Sequence, residues 1–253
     1  MSSINNLPPY AVIAHRGASA FAPENTLSAF RAALKAGAHG IELDAKRSAD
    51  GLVVVMHDPT VNRTTDGMGY VHQLKAAELT KLDAGAKFHP DFSGERVPRL
   101  EDVFEEIGKK ILINIELTNY ISFGDGLPEA VAELVRRHNI VEWVFFSSFD
   151  PRNLRLIRKH LPAAPCAMLS LPGWKGMAAR GWVGMWAGPD ALNPWHQDVS
   201  ERLVQKENAR RRKVITWTVN GIEDLRTQKK LGVDAVITDD PARALAVREE
   251  TSK

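Results

Sequence analysis

Residues 11–30 read AVIAHRGASAFAPENTLSAF, and this stretch sets the pattern for the chain. It opens on the apolar run Ala11, Val12, Ile13 and Ala14, which suits a strand buried on both faces. The run stops at His15, Arg16 and Gly17. Pro23 and Asn25 then punctuate the chain, and Leu27, Phe30 and Leu34 recur at helical spacing over 26–36. A strand followed directly by a helix is half of a parallel βαβ unit.

The unit repeats. Further apolar runs are GIELDAKRS (40–48), ILINIELT (111–118), WVFFSSF (143–149), PCAMLS (165–170), ALNP (191–194), VITWTVN (214–220) and DAVITDD (234–240). Helical periodicity fills 100–107, 127–138, 151–160, 201–212, 222–231 and 241–248. With the first run this makes eight candidate strands, and 253 residues is a common length for an eight-fold barrel. The predicted fold class is therefore α/β, a closed (β/α)8 TIM barrel rather than an open sheet. LVVVMHD (52–58) is an extra strand beside the second, and 59–99, rich in turn residues, is a small insertion after it. The chain 1–253 is expected to be a single domain with 59–99 as an inserted subdomain.

Composition excludes several function classes. There are 33 basic and 31 acidic side chains, a net charge of +2, which argues against a surface built for nucleic acid. The single cysteine, Cys166, lies in an apolar run and reads as a small core residue, so no internal disulfide is expected. The N-terminus has no signal-peptide pattern, and no apolar run approaches the roughly 20 residues that cross a bilayer. A cytoplasmic protein without stable membrane insertion is expected. No feature of the sequence sets the oligomeric state.

Active sites of such barrels form at the C-terminal ends of the strands. Those ends carry His15 and Arg16, then Glu42 and Asp44, then His57 and Asp58 after the extra strand. Glu116 follows on ILINIELT with Asn114 on the same face, then Trp217, Asn220 and Asp239. Glu42 and Asp44 are two apart on a strand and share a face. Together with Glu116 they make an oxygen donor set that suits a hard divalent cation, Mg²⁺ or Ca²⁺, better than zinc. Paired carboxylates stay ionised most easily with a cation between them. Two flanking histidines suit a general acid and a general base, which predicts a bell-shaped pH profile. Arg16 supplies a planar cation for a phosphate oxygen. The combination describes phosphoryl transfer.

AHRGASAFAPENT, GIELDAKRSADG, VVMHD with RTT, NIEL, SSF, WTVN and GVDAVITDDP resemble, in order, the glycerophosphodiester phosphodiesterases. The resemblance implies a (β/α)8 barrel with an insertion after the second strand. It implies metal-dependent hydrolysis of a small-molecule glycerophosphodiester to glycerol 3-phosphate and an alcohol. It places the catalytic pair on His15 and His57, the metal ligands on Glu42, Asp44 and Glu116, and the phosphate-binding arginine on Arg16. First attack by the substrate's own glycerol hydroxyl, giving a cyclic phosphate, is compatible with it, as is direct attack by water. One position departs: the family often has lysine two residues after the third-strand glutamate, where this chain has Thr118. Lys46 is the candidate that compensates.

Other features carry blander expectations. Glu24 and Asn25 could be ligands but are read first as capping the first helix; Asp58 either orients His57 or turns the chain, with the structural reading favoured; and Asp239 is read as a cap before Pro241. Trp217 is equally core or a wall of the substrate pocket, and His196 is a distant candidate. The stretch 171–189, LPGWKGMAARGWVGMWAGP, reads first as a helix packed on the barrel. Its alternative is a greasy lip, which would favour a lysophospholipase D-type activity on lysophospholipids. A catalytically silent binding module would lack one of the histidines or carboxylates, and all are present.

Overall fold

The computed structural model describes residues 3–250. The apolar runs form β1 (Ala11–Ala14), β2 (Gly40–Arg47), β3 (Val53–Val55), β4 (Leu112–Leu117), β5 (Val144–Ser148), β6 (Cys166–Ser170), β7 (Ala191–Pro194), β8 (Lys213–Thr216) and β9 (Ala235–Thr238). Eight of them are parallel and close a ring, β1-β2-β4-β5-β6-β7-β8-β9 and back to β1. This is the expected (β/α)8 barrel. Helices α1 (Leu27–Lys35), α2 (Ala76–Leu79), α3 (Leu100–Ile107), α4 (Leu127–Arg137), α5 (Pro151–His160), α6 (Met177–Arg180), α7 (Trp182–Trp186), α8 (Glu201–Ala209) and α9 (Ile222–Leu231) lie between the strands, and α10 (Pro241–Glu249) follows the last.

Alternate strand residues fill two cores. Ile13, Leu112, Phe145, Ala167, Ile215 and Ile237 pack inside the ring. Ile41, Leu43, Ile113, Ile115 and Phe146 face outward against Phe30, Val103, Val131 and Leu154 of the helices. Burying both faces explains why the strands read as continuous apolar runs. Cys166 is fully buried in the outer core, and burial pushes its thiol up to about 12. That fits a packing residue rather than a nucleophile.

β3 has a specific task. It pairs antiparallel with the upper part of β2, Val53 with Arg47 and Val55 with Ala45. β1 pairs with β2 only at Gly40 and Ile41, which leaves that upper edge free. The chain therefore runs back down to the rim, where Met56 N–H donates to the Asp44 carbonyl at 2.9 Å, and His57 follows. The turn-rich segment after it packs Val61, Val71, Leu79, Ala84 and Val97 onto Val54 and Met56.

Two helices end earlier than their periodicity suggests, at positions where a residue turns left-handed. Asn139 has φ 51° beyond α4 and Arg211 has φ 57° beyond α8. The segment 171–189 differs more. It is three short turns, a 3-10 turn at Gly173–Gly176 followed by α6 and α7, not a helix packed on the barrel. Gly181 breaks it with ψ −136°, a backbone that no helix continues. Its tryptophans point outward, with Trp174 77% and Trp182 79% exposed.

Candidate active site

β2 presents Glu42 and Asp44 into the ring, and both are buried. Parallel register sets Asp44 beside Glu116 of β4 and Glu42 beside Asn114. One oxygen from each of Glu42, Asp44 and Glu116 lies within 4.8 Å of the other two. Burial pushes Glu42 well above the usual carboxylate range, and repulsion by Asp44 and Glu116 adds to it. Burial likewise drives Glu116 up to about 8, again reinforced by Asp44. Three acids packed this closely repel one another unless a cation lies among them. All donors are oxygens, which fits a hard divalent ion.

The turn after β1 reaches this triad through its backbone. Arg16 N–H donates to Glu42 Oε2 at 2.9 Å. Arg16 has φ 53° and Gly17 φ 82°. A Cβ on Gly17 would sit 2.6 Å from the Ala29 carbonyl carbon, so glycine lets the turn press against α1. The Arg16 guanidinium donates to Glu24 at 2.8 Å and lies 3.4 Å from Asp44.

Both histidines are held the same way. His15 Nδ1 is 2.6 Å from Asp239 Oδ1, and His57 Nδ1 is 2.7 Å from Asp58 Oδ1. An ionised carboxylate only accepts, so each Nδ1 carries the proton and each Nε2 is left for other partners. Asp239 in turn accepts from Ser19 Oγ at 3.1 Å and Asn220 Nδ2 at 2.6 Å. Asp58 accepts from Arg63, whose hydrogen bonds are the main force holding that carboxyl far below its usual range. Arg63 also donates twice to Glu24, at 2.7 and 2.8 Å. Burial would raise Glu24, but the hydrogen bonds and charges of Arg63 and Arg16 hold it at about 2. One network thus links His57, Asp58, Arg63, Glu24, Arg16 and Asp44.

Several expectations need correction. Asp239 is not the cap before Pro241: Asp240 takes that place, accepting from Arg243 N–H at 2.9 Å. Of the two readings of Asp58, the structure takes the one not favoured: its carboxylate meets His57 Nδ1. Thr26, not Glu24 or Asn25, caps α1. Asn25 instead pins Asp44, with Nδ2 donating to Oδ2 at 2.8 Å. His196 is buried beside Trp195, its Nδ1 4.0 Å from Asp224, and has no hydrogen bond to the acidic triad among the described residues.

Tyr120, which sequence reasoning passed over, donates its hydroxyl to Glu116 Oε1 at 2.9 Å. Its ring packs on Phe149 at 5.8 Å, and Phe149 packs edge-on against Trp217 at 5.6 Å. Half-buried Trp217 is fixed by Nε1–H to the Asn193 carbonyl at 2.8 Å. The three rings form one wall that begins at Glu116. Position 118 is resolved by register. Lys46 and Thr118 follow the Asp44–Glu116 pair by two residues on adjacent strands. The buried Lys46 ammonium donates to the Thr118 carbonyl at 2.6 Å and its hydroxyl at 2.9 Å. β2 therefore brings a cation to position 118. A cavity of about 230 Å³ opens beside the network, lined by Ser19, Glu24, Arg63, Thr64, Lys87 and Phe88 among others.

Known proteins share this arrangement of sequence and fold. A relative from Caldanaerobacter subterraneus subsp. tengcongensis, a glycerophosphodiester phosphodiesterase, is 41% identical over 91% of this chain and 94% of its own length. An Oleispira antarctica phosphodiesterase, solved with the product sn-glycerol-3-phosphate, superposes with TM-score 0.87 at 28% identity, covering 99% of this chain and all of the other. A glycerophosphodiester phosphodiesterase from Agrobacterium tumefaciens superposes with TM-score 0.80 at 29% identity, over 94% and 99% of the two chains. The sequence profile of the glycerophosphoryl diester phosphodiesterase family matches residues 15–243, so the chain belongs to that family.

Proposed function

We propose that the chain hydrolyses glycerophosphodiesters to glycerol 3-phosphate and an alcohol, with Glu42, Asp44 and Glu116 holding Mg²⁺ or Ca²⁺. The observation that carries this reading is the oxygen triad with two carboxylate-held histidines on the same rim. When bound, the cation draws off negative charge that develops on phosphate oxygens.

His15 and His57 divide the proton transfers. Each offers Nε2, because Asp239 and Asp58 occupy Nδ1. One neutral imidazole takes the proton of the attacking hydroxyl, a water or the glycerol hydroxyl, as its oxygen bonds to phosphorus. The other, protonated, gives its proton to the leaving alcohol oxygen as that P–O bond breaks. Arg16 binds a phosphate oxygen, preset by Glu24 and Asp44. Lys46 supplies the second positive charge beside the acidic pair. Trp217 forms the wall against which the glycerol carbons rest. The cavity between Ser19 and Arg63 offers room for the leaving alcohol.

The test is an assay of metal-stripped protein against a panel of glycerophosphodiesters, with Mg²⁺ or Ca²⁺ restored. The expected result is cation-dependent release of glycerol 3-phosphate, and no release with either ion overturns the reading. The exposed tryptophans after β6 favour a second reading, lysophospholipase D-type cleavage, which comparing glycerophosphocholine with lysophosphatidylcholine separates.

A further inference from the structure

Five strongly exposed apolar side chains gather on one segment. Trp174, Met177, Trp182, Met185 and Trp186 stand 51–79% exposed on the segment that follows β6. Tyr120, Ile121 and Phe123 are exposed after β4, and Phe21 after β1. Every one lies on a connection leaving the C-terminal end of a barrel strand. The part carrying Trp174 and Met177 lies beside the mouth, held to Ser170 at the end of β6 and to Asp198 after β7, whereas Trp186 lies lower on the flank against Arg155 of α5. Exposed apolar side chains this dense along the one segment after β6 mark a contact face rather than ordinary surface.

The segment is built to hold its tryptophans outward. Arg180 anchors it from beneath, donating to Asp198 at 2.7 Å, to Ser170 Oγ at 3.0 Å and to the Gly173 carbonyl. Gly176 is buried against the Leu171 carbonyl and Ser170 at the end of β6, and Gly184 against the Ala179 backbone, which packs the two short helices closely on each other. The Arg155 guanidinium sits 4.4 Å from the Trp186 ring centre and braces that side chain. Between 171 and 188 the chain carries Lys175 and Arg180 and no acidic residue. Arg180 is spent on Asp198 and Arg155 on Trp186, but Lys175 is exposed and has no carboxylate partner among the described residues. Exposed tryptophans around a free lysine, with no acidic residue among them, suit one occupant, the headgroup layer of an anionic lipid surface. Among the described residues no helix is long and apolar enough to cross a bilayer, so the contact is peripheral.

We propose that the tryptophan-rich segment after β6 docks the barrel mouth onto an anionic lipid surface. Substrates carried in or shed from that layer then meet the site directly, a consequence that rests on the phosphodiesterase reading. Docking itself does not rest on it.

The experiment sediments the full chain with vesicles of phosphatidylcholine alone and of phosphatidylcholine mixed with phosphatidylglycerol. It compares wild type with Trp174→Ser/Trp182→Ser and with Lys175→Glu. Wild type is expected to bind the anionic vesicles, with its tryptophan emission shifted to the blue, and to release at high salt. The double tryptophan variant should lose roughly tenfold or more in partitioning. Lys175→Glu should weaken binding to anionic vesicles. Both variants should keep wild-type hydrolysis of water-soluble glycerophosphocholine, since neither touches the triad or the histidines. Absence of wild-type binding, equal binding by the tryptophan variant, or a dimer that falls apart in that variant would each overturn the proposal. Vesicle binding without diester hydrolysis would instead overturn the activity and leave the docking surface standing.

Discussion

His15 Nδ1 lies 2.6 Å from Asp239 Oδ1, and this contact spans the closure of the barrel from β1 to β9. It ties a residue near the start of the chain to one near its end, and the His57–Asp58 pair repeats the contact across the rim. Replacing His15 or His57 by alanine should lower kcat by about 10²–10⁴-fold, the usual worth of one general acid or base. Asp239→Asn should lower it less while leaving KM nearly unchanged, because Nδ1 loses its anionic partner and the ring its preferred tautomer. Steady-state kinetics on glycerophosphocholine, with circular dichroism to verify folding, checks this. Near wild-type turnover in either folded histidine variant removes that residue from the mechanism.

The Lys46–Thr118 pair makes a charge-exchange prediction. Lys46→Thr leaves the acidic pair without its neighbouring cation and should cost tenfold or more in kcat/KM, about 1.4 kcal/mol. Lys46→Thr/Thr118→Lys returns the ammonium to the same place from the adjacent strand and should recover most of that loss. Equal activity in the double and the single variant would show that the charge at this position is irrelevant.

Metal removal should make stability depend on pH in a defined direction. Without a cation, burial and Asp44 raise Glu116 to about 8 in the folded protein. The folded state then holds a proton that the unfolded chain has released. The stabilisation is full below the ordinary carboxylate pKa and is lost as pH rises through about 8. Bound cation reverses the effect by favouring the ionised acids. The gain in Tm from added Mg²⁺ or Ca²⁺ should therefore grow from about pH 5 to about pH 8. Thermal melts of stripped and reloaded protein across that range measure it, and a gain that shrinks with pH contradicts the account.

Gly17→Ala should destabilise the fold by more than about 1 kcal/mol, from a positive φ and a clash with α1. Because Arg16 N–H would shift from Glu42, metal affinity should fall as well. Denaturant unfolding and calorimetric titration of the cation follow the two effects separately.

Much of this was legible in the sequence, for reasons visible in particular residues. Ile41 and Leu43 alternate with Glu42 and Asp44, so the strand announces both its buried face and its acidic one. Each run from AVIA to AVIT is short and apolar on both faces, which parallel strands under helices require. What stayed hidden depends on contacts between distant chain segments. Asp239 and Asp240 are adjacent, and only the backbone direction after β9 decides which caps α10 and which meets His15. Arg63 meets Glu24 because β3 folds the chain back beside β2. The outward turn of Trp174 and Trp182 follows from buried glycines and the Arg180 anchor, none of which periodicity reports.

The central claim is that Glu42, Asp44 and Glu116, from two strands, hold one divalent ion beside both histidines. A crystal grown with Mn²⁺ and glycerol 3-phosphate, measured at the manganese absorption edge, tests it most directly. The account predicts a single strong anomalous peak ligated by all three carboxylates, with a phosphate oxygen on the metal and both histidine Nε2 atoms facing that phosphate. A peak elsewhere, or an empty triad in crystals that hold the product, would contradict it.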